Sequence, residues 1–213
     1  MDEVHAYRGV FGSHVANVFR RFLRIAARYR SHPRVLAGSA TIGNPRELFS
    51  NLFGREATLV DGDSAPSGAR RVIFARPPEI APGRYASPNA VVAELLAELV
   101  ESGTRTLAFS RARVTAELVL RLARFAAADR GLGSALIESY RGGYTAKERR
   151  SIEAALFRGK LAGLSATDAL ELGIDVGGLD AVIMNGYPGS VNSFWQRAGR
   201  AGAGGGLHGQ LSL

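Results

Sequence analysis

From about Ser39 onward the chain alternates short apolar runs with longer stretches whose apolar positions recur at helical spacing. The segments "RRVIFA" (71–76), "TLAFS" (106–110), "ALIESY" (135–140), "LAGLSAT" (161–167) and "LDAVIMN" (179–185) have the length and content of buried strands. Between them, 89–102 and stretches near 112–129, 145–158 and 190–200 carry the amphipathic pattern of helices. Strands separated by helices of this length predict a parallel sheet covered on both faces, an α/β layered domain. Right-handed crossovers then bring the loops after the strands to one edge, where ligands bind. The first sixty or so residues hold a shorter version: a helix over 13–29, the strand "RVLAGSA" (34–40), the helix "NPRELFSNLF" and the strand "EATLV" (56–60). Asn44 suits the N-cap of that second helix and Pro45 its first position. The small, polar, proline-containing segment 61–69 predicts a linker, so the chain divides into 1–60 and 70–213.

Composition adds a partner to this picture. With 213 residues, 46% apolar and 22% charged, the chain has room for one or two ordinary globular domains. No apolar run reaches the roughly 18 residues of a membrane span, and no basic-then-apolar signal opens it, which favours the cytoplasm. The lack of cysteine excludes disulfides and cysteine-bound zinc within these residues. A net charge of +8 and a pI near 10.5 point to an anionic partner, most often nucleic acid. Nearly all of that charge is arginine; the only lysines are Lys147 and Lys160.

Four short constellations could carry chemistry. Asp2 and Glu3 could place one carboxylate on Mg²⁺ and another on an attacking water, although such a pair near a terminus also fits a solvated surface. Ser39 and Thr41 put two hydroxyls at a strand end, where capping is the simpler use. Thr167 follows a strand and Asp175 lies eight residues on; they could donate to a phosphate and accept from a ribose hydroxyl. Leu170, Leu172 and Ile174 between them read as core. Gln196 and Arg200 lie four apart on one helical face, among glycines that allow close backbone approach, and suit phosphate oxygens. A basic stripe, Arg20, Arg24 and Arg28 on helix 13–29, fits nucleic acid, with a solvated face as the simpler reading. Tyr140, Tyr144 and Trp195 could stack on bases, with core or interface packing as the alternative.

The order of these pieces resembles the DEAD/DEAH-box helicases of superfamily 2. Asp2–His5 is similar to motif II, Ser39–Thr41 to motif III, "TLAFSRARVTAELV" to motif IV, Ala166–Asp175 to motif V and Gln196–Gly202 to motif VI. "HAYRGVFGSHVANVFRRF", "YRGGYTAKERRSIE" and "NGYPGSVNSFWQRAGRAG" further resemble a bacterial and archaeal branch of DNA helicases with a C-terminal zinc-binding domain. The resemblance implies P-loop NTPase, RecA-like layers: the distal part of a first domain over 1–60 and a nearly complete second over 70–213. In that family two such domains clamp ATP while single-stranded nucleic acid crosses both. It implies ATP and Mg²⁺ as cofactors and single-stranded DNA as partner. By position, Asp2 would coordinate Mg²⁺, Glu3 would activate water, and His5, Ser39 and Thr41 would couple hydrolysis to movement. Arg111 and Thr167 would touch the nucleic-acid backbone, Asp175 the ribose, and Gln196 and Arg200 the γ-phosphate.

Two departures shape the expectation. No G-x-x-x-x-G-K-[ST] phosphate loop occurs, because neither Lys147 nor Lys160 fits it. Ala203 stands where family members carry a second arginine, within the glycine-rich tail "AGGGLHGQLSL". The reading is therefore a portion of an ATP-dependent helicase, truncated before motif II and inactive alone. The alternative is a non-catalytic remnant that binds single strands. A dinucleotide-binding enzyme fits poorly, since no G-x-G-x-x-G joins a strand to a helix.

Overall fold

The computed structural model describes residues 1–39, 42–62, 69–140, 144–167 and 179–202. Thr41, Asp175, Ala203, the three apolar residues near Asp175 and most of the 61–69 segment lie outside the described residues. The chain forms two compact units, Met1–Ala65 and Pro66–Leu213.

In the first unit, helix α1 (Gly9–Arg28) packs on helix α2 (Pro45–Phe53). α1 begins four residues before the predicted start, whereas α2 starts at Pro45 as expected. Asn44 turns its side chain to Glu47 (3.0 Å) rather than to a helix N–H. Val4, Ala16, Leu52 and Phe53 form the small core, with Phe19 and Phe49 packed edgewise or tilted on Phe53 at 4.9 and 4.6 Å. Neither 34–39 nor 56–60 forms a strand. A strand is stabilised by lateral pairing, and the pairing of 34–39 is brief. Leu36 accepts from the Met1 amino group, and Gly38 exchanges bonds with Met1 and Val4.

The second unit opens with a short exposed hairpin, β1 (Glu79–Ala81) and β2 (Arg84–Tyr85), in place of the strand predicted over 71–76. There, only Phe74 takes a bridge position. Helix α3 (Pro88–Glu101) follows, then β3 (Thr106–Phe109), α4 (Arg113–Asp129), β4 (Ile137–Tyr140), α5 (Ala146–Phe157), β5 (Gly163–Ala166), β6 (Ala181–Met184) and α6 (Val191–Ala198). The four longer strands make one parallel sheet in the order β4-β5-β3-β6.

Alternation along these strands builds two cores. Leu107, Phe109, Leu164, Val182 and Met184 share one cluster with Leu156 of α5 and Ala198 of α6. Ala108, Ile137 and Ile183 share the other with Val92 and Leu96 of α3 and Val119 and Ala123 of α4. Each fully buried leucine or isoleucine contributes about 1.5–3 kcal/mol. Two polar details fit the same layers. Buried Ser165 donates to the Ala116 carbonyl of α4 at 2.8 Å, and Gly163 leaves room for Val100 and Ile137, which an added Cβ would meet at 2.9 and 3.1 Å.

α5 has a full capping box: Thr145 Oγ1 accepts from the Glu148 N–H, and Glu148 accepts from the Thr145 N–H at 2.7 Å. Among the described residues no helix is long and apolar enough to cross a membrane.

Candidate functional site

The first set of candidate residues gathers at the start of the chain. Pairing of Met1–Val4 with Leu36–Gly38 fixes Asp2 beside the 36–39 segment. Asp2 is exposed, and its Oδ1 accepts from the Glu3 N–H at 2.8 Å. A Cβ on Gly38 would lie 2.9 Å from that same oxygen, so the glycine permits the approach of the carboxylate. Glu3 takes a left-handed conformation (φ 51°) that heads the short turn Val4–Ala6 and brings its Oε2 to 3.2 Å from His5 Nδ1. The His5 side chain is largely buried, and Ser39 is exposed one residue beyond Gly38. Asp2, Glu3, His5 and Ser39 thus belong to one small neighbourhood.

Asp2 and Glu3 supply oxygen donors, the set a hard divalent cation takes. Among the described residues no cluster of three or more histidine, aspartate or glutamate side chains forms a protein-only metal cage. Mg²⁺ keeps several waters and commonly uses one or two carboxylates together with substrate phosphates, so Asp2 and Glu3 are the residues that would hold it.

The second set lies at the C-terminal edge of the parallel sheet. Phe109 and Ala166 are register partners, and the Ser110 N–H donates to the Ala166 carbonyl at 2.8 Å. Arg111 and Thr167 therefore follow adjacent strands at the same edge, Arg111 exposed and Thr167 buried. On the other side, Asn185 at the end of β6 donates its N–H to the Phe109 carbonyl at 2.9 Å and its side-chain amide to Asn89 at 2.8 Å.

α6 carries the third set. Ser190 caps it, accepting from the Ser193 N–H at 3.0 Å. Phe194 and Ala198 pack its apolar face on the sheet. Gln196 and Arg200 are half-buried. Arg197 is 2% exposed, with its guanidinium over the Phe109 ring, 5.1 Å from the centroid. The strand-end phenylalanine thus supplies the π-face that helps hold a buried cation.

Sequence reasoning did not assign roles to Arg197, Asn185 or Ser110. The hydroxyl of Ser110 is buried without a hydrogen-bond partner at the end of the central strand β3. The available signal was position: both Ser110 and Asn185 directly follow apolar strand runs. Of the aromatic candidates, Tyr140 is buried in the core, and burial together with Glu153 pushes its hydroxyl up to about 12. Tyr144 is half-buried, 2.5 Å from Ser139 Oγ. Trp195 is 49% exposed, edge-on to Phe194.

Residues 88–205 match the family described as helicase conserved C-terminal domain. The chain is 47% identical over 204 residues to the uncharacterized ATP-dependent helicase YprA of Bacillus subtilis, covering 95% of this chain and 27% of that protein. It is 42% identical over 210 residues to the ATP-dependent helicase hrq1 of Schizosaccharomyces pombe, covering 95% of this chain and 20% of that protein. Among solved structures, the DUF1998 helicase MrfA bound to DNA and AMPPNP superposes with a TM-score of 0.91 at 46% identity, over 99% of this chain and 29% of that one. The chain spans less than a third of the length of each.

Proposed function

The chain belongs to the family of helicase conserved C-terminal domains, and from that premise we propose that it is a portion of an ATP-dependent helicase acting on DNA. Its fold is the α/β, RecA-like architecture of such helicases. The observation that carries the reading is the C-terminal edge of the parallel sheet, where Arg111 lies two residues beyond β3 and Thr167 one residue beyond the neighbouring β5. A guanidinium and a hydroxyl at one sheet edge suit backbone phosphates, which position a strand without reading its sequence.

In this reading Asp2 would hold Mg²⁺ and Glu3 would accept a proton from the attacking water, with His5, 3.2 Å from Glu3, orienting that carboxylate. Bound Mg²⁺ supplies charge neutralisation on the phosphates. Ser39 and Thr41 couple that chemistry to movement, and Asp175 accepts from the ribose. Gln196 and Arg200 face the γ-phosphate. Buried Arg197 anchors α6 to the strand end, so it positions these two rather than touching substrate. The place of action we propose is the cytoplasm.

The experiment is equilibrium binding of a labelled single-stranded DNA to the chain 1–213 across a salt series. The affinity should fall steeply with salt, and Arg111→Gln should make the log–log slope shallower by about 0.7, one phosphate contact. Salt-independent binding, or a variant identical to the parent, would contradict the assignment of the sheet edge.

A further inference from the structure

The first unit contains a groove of about 830 Å³ that the helicase motifs do not use. It runs along α1 and meets the end of α2, lined by Asn17, Arg20, Arg21, Arg24, Phe53 and Arg55 among others. Four guanidiniums face this concavity, and no carboxylate lines it. From sequence the stripe Arg20, Arg24, Arg28 fits nucleic acid or, more simply, a solvated face. In the fold, Arg20 and Arg24 line one concavity together with Arg21 and Arg55.

The four arginines divide into two kinds. Arg20 donates to the Asn51 carbonyl at 3.0 Å and Arg55 to the Pro33 carbonyl at 3.1 Å, so both are held in place by backbone. Arg21 and Arg24 are exposed and brace no carbonyl. Gly54, in the left-handed conformation that ends α2 (φ 66°), lies beside Arg20; a Cβ there would sit 3.8 Å from its Nε. The positive φ, rather than space, is what favours glycine there. Two braced cations and two unbraced ones, with apolar Leu23 and Phe53 behind them, form a concave positive site. Like charges held this close repel unless an anion occupies the site. Guanidiniums are forks that match phosphate oxygens.

We propose that this groove binds the phosphodiester backbone of a nucleic-acid strand, as a contact separate from the sheet edge of the second unit. The occupant is a strand rather than a single small anion because the cations are spread along α1. Arg20 and Arg24 are one helical turn apart, and Arg55 enters from a different segment.

The test uses the chain 1–213, a fluorescein-labelled single-stranded oligonucleotide and no ATP, so its failure leaves the nucleotide roles of α6 untouched. The double variant Arg21→Gln/Arg24→Gln alters exposed side chains only, and circular dichroism checks its fold. Binding should weaken about tenfold, with the slope of log K against log salt shallower by about 1.4, two contacts at 0.7 each. Combination with Arg111→Gln should lower the slope further, because the two contacts are independent. An unchanged slope in the double variant would overturn the proposal. So would competition by inorganic phosphate as effective, per phosphate, as competition by unlabelled oligonucleotide, which would assign the groove to small anions. Preferential displacement of the oligonucleotide by an acidic peptide would overturn it as well.

Discussion

The two units differ in how their apolar runs are satisfied. In Pro66–Leu213, four parallel strands pair with one another, and helices cover both faces of the sheet with separate clusters. In Met1–Ala65, two helices fold against each other around a small cluster of Val4, Ala16, Leu52 and Phe53. The segments 34–39 and 56–60, as apolar as the strands of the other unit, form none. The contrast shows what a strand requires. A helix satisfies its backbone within itself, whereas an apolar run becomes a strand only when a neighbour accepts its hydrogen bonds.

The largest effect expected from this comparison is on the smaller core. A core of this size supplies at most about 3–5 kcal/mol, and Phe53→Ala costs about that much. The variant should lose the helical signal of α1 and α2 entirely. Leu107→Ala, in the sheet, should cost about 2–5 kcal/mol yet leave a folded unit with a lowered midpoint. Chemical denaturation of both variants, followed by limited proteolysis, checks this. A Phe53→Ala protein that keeps Met1–Ala65 protease-resistant would erase the distinction.

Next in size is Gly163→Ala. The new Cβ would press on Val100 and Ile137, and overpacking of this kind costs about 1–3 kcal/mol, measurable as a lower denaturation midpoint. Smaller again, Thr145→Ala removes the capping box of α5 and should cost about 1 kcal/mol. A cost near zero would mean that the box is not formed in solution.

The last effect is confined to alkaline solution. The Tyr140 hydroxyl is neutral in the fold, with its pKa raised above the ordinary value of 10.0 to about 12 by burial and by Glu153. Its contribution is fully present below pH 10, falls as the pH rises through that window, and is lost above about 12. Spectrophotometric titration should find one late-ionising tyrosine that Tyr140→Phe removes.

Much of the larger unit is legible from residue pattern alone. "TLAFS" and "LDAVIMN" read as buried strands because a parallel sheet is covered on both faces, which leaves near-continuous apolar runs. The hairpin Glu79–Tyr85 was not legible: its strands are two and three residues long, exposed and preceded by two prolines. The run 71–76 misled for the opposite reason, being apolar without a partner to extend its pairing beyond Phe74. At the site, Thr167 was picked out by its place after an apolar run and Gln196 and Arg200 by their helical spacing, whereas Arg111 entered only with the resemblance of "TLAFSRARVTAELV" to motif IV. Arg197 escaped because a buried arginine over an aromatic ring depends on Phe109, 88 positions away in sequence.

The most direct measurement is ATP turnover by the purified chain 1–213 with Mg²⁺, in the presence and absence of single-stranded DNA. Carboxylates and a γ-phosphate arginine, Arg200, are proposed for this chain but no lysine-bearing phosphate loop, so no turnover above the buffer rate is expected under either condition. Robust turnover stimulated by the strand would contradict it, since these 213 residues would then grip the β- and γ-phosphates by some other means.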